Sequence, residues 1–207
     1  MGIDTVRSHP AARSRAIEVC ILAGGLSTRM GRDKARLKLG GQTMLARIRR
    51  VVAEAFVERP PTRVRVVRKD RVRRCGPLGG VVTALRMARA PAVLFLACDM
   101  PLVSAKLLKR IMRASRRGER AVFAAQAGRV GFPFVLPVKF LPVIEEQIAA
   151  RGFSLHALAE RLRTHRTVMA SASYELFNVN TPEDLAVAEG LLARRGRRIA
   201  PGSLSHR

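Results

Sequence analysis

A strand-like apolar run over residues 16–22 feeds directly into Leu22-Ala23-Gly24-Gly25-Leu26-Ser27-Thr28-Arg29-Met30-Gly31-Arg32-Asp33-Lys34. Small residues in a turn after a strand let backbone N–H groups approach a polyphosphate, because glycine has no Cβ to hold the anion off. Arg29 and Lys34 add positive charge for an anion that the backbone has already positioned. The run is not a P-loop, since Gly31 is followed by Arg32-Asp33 rather than Lys-Ser/Thr, and it lacks the G-x-G-x-x-G spacing. Gly-Gly turns between a strand and a helix are common; a strand, a small-residue loop, an arginine and a lysine in this order are much rarer and predict a nucleotide site.

Asp99 is the leading catalytic candidate. It follows the apolar run 92–97, and Met100-Pro101 behind it turns the chain out of the sheet. Open α/β sheets bind their ligands at that end of the strands, beside the point where strand order reverses. A carboxylate placed there is a hard oxygen ligand for Mg²⁺, which takes one or two carboxylates together with phosphates and waters. Capping the turn before Ser104 is the other role open to it.

Strand-like and helix-like patterns alternate around these residues. Thr43 can cap a helix whose apolar positions Leu45, Ile48, Val52, Ala55 and Phe56 recur at helical spacing, and Pro60-Pro61 stops it. Residues 63–67 alternate at first and predict an edge or near-edge strand. The turn over 76–80 opens a helix carrying Val81, Leu85 and Met87. Residues 92–97 are apolar on both faces, as in a central strand of a mostly parallel sheet. Ser104 caps the next helix, with Leu107, Leu108, Ile111 and Met112 as its buried stripe.

Two more strands are expected over 120–125 and 132–136, then helices over about 142–150 and from the Ser154 cap through 162. Residues 167–170 and 176–179 predict short strands. Thr181-Pro182-Glu183-Asp184 is a strong helix start, with a capping threonine, proline at the first helical position and acids facing the positive dipole. His156 and His165 have no partners at metal spacing and read as structural. One α/β domain over 16–195 is expected, with 1–15 disordered and 196–207 a basic tail.

The first loop, Leu22-Ala23-Gly24-Gly25 through Arg29-Met30-Gly31 and Asp33-Lys34, resembles the signature loop of molybdenum cofactor guanylyltransferases. Three further segments match in the same order: Cys75-Gly76-Pro77-Leu78-Gly79-Gly80, Leu96-Ala97-Cys98-Asp99-Met100-Pro101, and Phe177-Asn178-Val179-Asn180-Thr181-Pro182-Glu183-Asp184-Leu185. The resemblance covers residues 16–194, and Leu-Ala-Gly-Gly with Asn-Val-Asn-Thr-Pro points to the guanylyl branch. It implies a Rossmann-like fold of the nucleotide-diphospho-sugar transferase type, a mostly parallel sheet with helices on both faces. It also implies transfer of GMP from GTP to the molybdenum-bound molybdopterin cofactor with Mg²⁺, and molybdoenzymes or cofactor-carrier proteins as partners.

In such a reaction the acceptor's own phosphate attacks the α-phosphorus and pyrophosphate leaves, so no enzyme nucleophile is needed. The site must supply positioning and charge neutralisation. The resemblance puts guanine recognition on the backbone around Leu22, Ala23 and Gly24, with Gly25 in the same nucleotide loop and Lys34 and Arg29 offsetting triphosphate charge. Asp99 becomes the metal ligand, Asp70 a nucleotide contact, and Asn178 and Asn180 groups near the pterin acceptor or the metal. A solvated acid among arginines is the other reading of Asp70, and turn hydrogen bonding that of the two asparagines. The chain departs from the family pattern in having one strand between the first helix and Gly76, and in lacking His-Pro near Phe132-Pro133. A related transferase using CTP or a sugar-phosphate acceptor shares most of these motifs, and a non-catalytic polyanion-binding protein is the reading from another class.

Composition sets the remaining bounds. The net charge is +24, from 39 Lys and Arg against 15 Asp and Glu, which attracts polyanions of any kind. The positive residues are spread along the chain, there is no Trp and a single Tyr, and stacking platforms for nucleic acid are scarce, so only nonspecific attraction to nucleic acid is expected. A proteome-wide arginine bias accounts for the same charge. Cys20, Cys75 and Cys98 are far apart without C-x-x-C spacing, which predicts reduced thiols and a cytoplasmic setting. No apolar run reaches the roughly 18–20 residues of a transmembrane helix, and the first 15 residues lack the apolar stretch of a secretory signal.

Overall fold

The computed structural model describes residues 16–23, 36–68, 75–163, 165–168 and 174–199. Its strands are β1 (Ile17–Leu22), β2 (Lys38–Leu39), β3 (Gln42–Thr43), β4 (Arg63–Val67), β5 (Ala92–Ala97), β6 (Val122–Gln126), β7 (Arg129–Pro137) and β8 (His165–Val168). Its helices are α1 (Met44–Ala55), α2 (Pro77–Arg86), α3 (Ala105–Ala114), α4 (Leu141–Ala149), α5 (Leu155–Arg161) and α6 (Pro182–Ile199).

Six strands form one sheet in the order β4, β1, β5, β7, β6, β8, while β2 and β3 pair as a separate hairpin. β4, β1 and β5 are mutually parallel, β7 runs against both β5 and β6, and β8 is parallel to β6. All strands but β7 therefore point one way, so the sheet is mostly parallel as expected. Side chains alternate across it. Val19, Ile21, Leu94 and Leu96 meet the apolar stripes of α1 and α3 on one face. Cys20, Val93, Phe95 and Phe123 meet α2, α4 and α5 on the other. Phe134 stacks between Phe95 and Phe123, with ring centroids 5.0 and 4.7 Å away; truncating such a buried ring to alanine costs about 3–5 kcal/mol.

The predicted caps form. The Thr43 and Ser104 hydroxyls accept from the backbone N–H groups of Ala46 and Leu107, and Ser154 accepts from His156 and Ala157. Gly40 and Gly41 make the two-residue turn of the β2–β3 hairpin with φ of 56° and 78°, a conformation that glycine adopts without penalty. A Cβ on Gly40 would stand 2.8 Å from Leu192 of α6, so this turn is also a close packing point.

Several boundaries differ from the sequence expectation. The helix expected after the 76–80 turn starts at Pro77, so Gly79 and Gly80 are buried within its first turns and Gly76 alone makes the bend. The strand expected over 167–170 is β8 at His165–Val168, and β6 and β7 extend to Gln126 and back to Arg129 around a two-residue turn. Residues 176–179 form no strand, because their attachment to the sheet end is a backbone bond to a turn carbonyl and not a ladder. α6 continues through Ile199, four residues into the expected tail. Edge strand β4 leaves Val64 43% exposed while Arg65 turns inward to Glu18; the Glu18 carboxylate outweighs the hydrophobic pattern there.

Candidate active site

β1 lies between β4 and β5. The chain leaves it through α1 to β4 on one side and crosses through α2 to β5 on the other. The carboxyl ends of these three strands therefore bound the crevice where open α/β sheets take ligands. Leu22 closes β1 in register with Val67 and Ala97. Two bonds continue past the ladder: Ala23 N–H donates to the Val67 carbonyl at 2.8 Å, and Cys98 N–H donates to the Leu22 carbonyl at 3.0 Å. Leu22 and Ala23 are half-buried at this rim. Gly24, Gly25, Arg29, Lys34 and Asp70 lie outside the described residues.

Asp99 stands two residues beyond β5, half-buried between the buried side chains of Cys98 and Met100. The chain turns here, with Met100 N–H on the Ala97 carbonyl, and reaches the Ser104 cap of α3 five residues later. The Asp99 carbonyl accepts from Val179 N–H at 2.8 Å. Val179 is fully buried in a small core with Leu39, Met44, Leu102 and Ala188, and Asn178 and Asn180 on either side of it are exposed. Folding thus carries two asparagines from far along the chain to the Asp99 turn.

Both flanks of this asparagine segment are anchored. Downstream, Asp184 Oδ2 accepts from the N–H groups of Asn180 and Thr181 at 2.8 and 3.0 Å, while the Thr181 hydroxyl accepts from Asp184 N–H at 3.1 Å. This reciprocal pair is a capping box for α6. A backbone hydrogen bond at Glu183 itself and one from the Thr181 hydroxyl hold the exposed Glu183 carboxyl below its ordinary range. Upstream, the Ser104 hydroxyl donates to the Glu175 carboxylate. Sequence reasoning found the Ser104 cap and the α6 start but not Glu175, which no motif marks.

Among the described residues, no three His, Cys, Asp or Glu side chains gather as a metal cluster. The donor types this rim offers are hard oxygens: the Asp99 carboxylate, and the amide oxygens of Asn178 and Asn180 on the segment whose backbone bonds to the Asp99 turn. Such a set fits Mg²⁺, which draws most of its ligands from phosphates and water, and it does not fit a nitrogen- and sulfur-bound zinc. Cys20, Cys75 and Cys98 are buried thiols in no disulfide. No helix among the described residues is long and apolar enough to cross a membrane.

Residues 19–168 match the family described as the MobA-like NTP transferase domain. A molybdenum cofactor guanylyltransferase from Pseudomonas putida is 34% identical over 180 residues, covering 81% of this chain and 94% of that protein. The crystal structure of molybdopterin-guanine dinucleotide biosynthesis protein A from Archaeoglobus fulgidus is similar with a TM-score of 0.64 at 18% identity, covering 86% of this chain and 99% of that one. A 4-diphosphocytidyl-2C-methyl-D-erythritol synthase from Anaerococcus prevotii reaches a TM-score of 0.65 at 16% identity, with the same two coverages. The two structural likenesses establish a shared nucleotidyltransferase fold and do not separate guanine from cytosine.

Proposed function

The chain belongs to the MobA-like NTP transferase family, and we propose that it transfers GMP from GTP to the molybdenum-bound molybdopterin cofactor, forming the guanine dinucleotide and pyrophosphate. The observation that carries this reading is the convergence of Leu22-Ala23, Asp99 and Asn178–Asn180 at the carboxyl rim of β1 and β5. The guanine assignment is supported by the sequence relative, since the fold serves cytidylyl chemistry as well.

The acceptor's phosphate oxygen bonds to the α-phosphorus of GTP as the bond from that phosphorus to the β-bridging oxygen breaks, and pyrophosphate carries away the negative charge. Asp99 is the residue that would hold Mg²⁺, which when bound supplies neutralisation of phosphate charge. Leu22 and Ala23 offer a backbone held by two neighbouring strands, a rigid platform for the base. Lys34 and Arg29 offset charge on the triphosphate and the leaving group, Asp70 makes a further nucleotide contact, and Asn178 and Asn180 orient the acceptor. The three buried reduced thiols favour a cytoplasmic setting for the reaction.

The test is a panel of GTP, CTP, ATP and UTP, each with and without Mg²⁺, read as the shift in Tm and as pyrophosphate release with molybdopterin. A ligand that binds the native state raises Tm by mass action. GTP with Mg²⁺ is expected to give the largest shift and to be the nucleotide consumed. Equal shifts and turnover with CTP would remove the guanylyl assignment and leave a nucleotidyltransferase of open base preference.

A further inference from the structure

We propose that Glu175 is a positioning residue: by accepting a hydrogen bond from the Ser104 hydroxyl, it straps the segment carrying Asn178 and Asn180 at a fixed angle against the Asp99 turn. Its consequence for acceptor binding rests on the GMP-transfer reading above. The segment between Tyr174 and Asn180 belongs to no helix or strand, so the sheet ladder does not set its direction. Its backbone meets the rim through the bond from Val179 N–H to the Asp99 carbonyl. That hydrogen bond fixes a position, and a second tie upstream of it restrains rotation about the carbonyl. The Glu175–Ser104 bond is that tie: it lies four residues upstream of Val179 on one side of the contact and five downstream of Asp99 on the other. A carboxylate acceptor makes this a charge-assisted bond, stronger than one between neutral groups.

Ser104 performs two tasks with one hydroxyl. Its oxygen accepts from Leu107 N–H to cap α3, and its proton goes to Glu175. The two tasks can be separated. Aspartate caps a helix as well as serine does, yet it has no proton to donate and sets a second carboxylate against Glu175. Ser104→Asp therefore keeps α3 capped and opens the strap. Adding Glu175→Gln to Ser104→Asp supplies an amide N–H of the same reach to the introduced carboxylate and closes it again.

The experiment compares the full chain as wild type, Ser104→Asp and the Ser104→Asp/Glu175→Gln double variant. Amide exchange at Val179, Tm, kcat, and KM for GTP and for molybdopterin are measured on each. Ser104→Asp is expected to hold Tm within about 2 °C, to speed Val179 exchange by roughly tenfold and to raise the molybdopterin KM by a similar factor, with the GTP KM unchanged. The double variant is expected to recover most of both losses. Unchanged Val179 exchange in Ser104→Asp, or no recovery in the double variant, overturns the strap. Faster exchange with an unmoved molybdopterin KM overturns its role in acceptor positioning. A wild type that transfers no GMP overturns the proposed function, and Val179 exchange still decides the strap on its own.

Discussion

Glu18 and Asp99 are carboxylates carried at opposite ends of two strands paired in register, β1 and β5, and their surroundings differ in kind. Glu18, at the amino rim, is 3% exposed and accepts from every side: Arg65 at 3.0 Å, Arg89 N–H at 2.7 Å and Ala90 N–H at 3.3 Å. Arg65 in turn donates to the Met87 carbonyl, so the acid ties β1 to β4 and to the turn that precedes β5. Asp99, at the carboxyl rim, is only half-buried and holds its neighbour segment through its backbone carbonyl. Strand direction sorts the two roles: open α/β sheets bind their ligands at the carboxyl ends of the strands, whereas at the amino end the turn before β5 fastens onto Glu18 through the N–H groups of Arg89 and Ala90. A carboxylate at the first place can bind a ligand, and at the second it is a structural fastening.

The same acid-to-amide change at each rim should therefore give opposite readouts. Glu18→Gln leaves Arg65 largely buried without its counter-charge and offers one oxygen where two served. Breaking a buried pair in this way costs about 3–5 kcal/mol, a fall in Tm on the order of 10 °C for a chain of this size. Pyrophosphate release below the new Tm should stay near wild type. A variant that melts normally but turns over slowly would contradict the structural role of this acid.

Asp99→Asn should show the reverse pattern. The amide preserves volume at the end of β5, and the Asp99 carbonyl still accepts from Val179 N–H, so Tm should hold. The lost charge removes a hard metal ligand and one electrostatic contributor to transfer, worth about 10²-fold or more in rate. Pyrophosphate release from GTP with molybdopterin measures it, and turnover near wild type would move the site away from this rim.

What the sequence made legible follows from how locally each feature is encoded. Strand β5, the helix caps at Thr43, Ser104 and Ser154, and the α6 start depend on residues within a few positions of one another, and each formed where the pattern put it. Asp99 and the two asparagines were legible as candidates, and their meeting at one turn was visible only in the fold. Glu175 was silent because its partner is 71 residues away and neither residue type is unusual in a loop or a cap. Arg65 was silent for a related reason: the alternation marks β4 as the edge strand it is, and only the paired strand reveals the buried acid that draws the arginine inward.

The α6 capping box sits directly beside the asparagine segment, with Asp184 accepting from Asn180 N–H. Thr181→Ala removes the oxygen that accepts from Asp184 N–H and is expected to cost about 1 kcal/mol of stability. It also removes one of the two hydrogen bonds that hold the Glu183 carboxyl low, so that carboxyl should titrate closer to its ordinary value. In the wild type the lowered value means that Glu183 contributes stability above the ordinary carboxylate range and loses it as pH falls through the lowered one. NMR titration of Glu183 in both proteins tests the sign. An unchanged titration would leave the backbone bond as its whole cause.

The smallest effect is expected at the amino rim, where α3 ends. Arg117 N–H reaches the Met112 carbonyl and Arg116 N–H the Arg113 carbonyl, the paired bonds of a Schellman motif, with Arg116 at φ 49°. That position favours glycine, since a left-handed conformation costs an L-residue about 1 kcal/mol or more. Arg151 after α4 and Arg163 after α5 occupy the same left-handed place, at φ 59° and 46°. Arginine at three such sites, against the backbone preference, supports a composition-wide origin for much of the +24 charge. Arg116→Gly should remove the conformational penalty while losing a cation at a helix C-terminus, worth about 0.3–1 kcal/mol, and adding backbone freedom to the unfolded chain. The terms nearly offset, so Tm should stay within about 2 °C of wild type, with GMP transfer unchanged at the opposite rim. A fall in Tm well beyond that would show that the Arg116 charge outweighs the strain, and the excess of arginine at helix ends would then be read as stabilising in its own right.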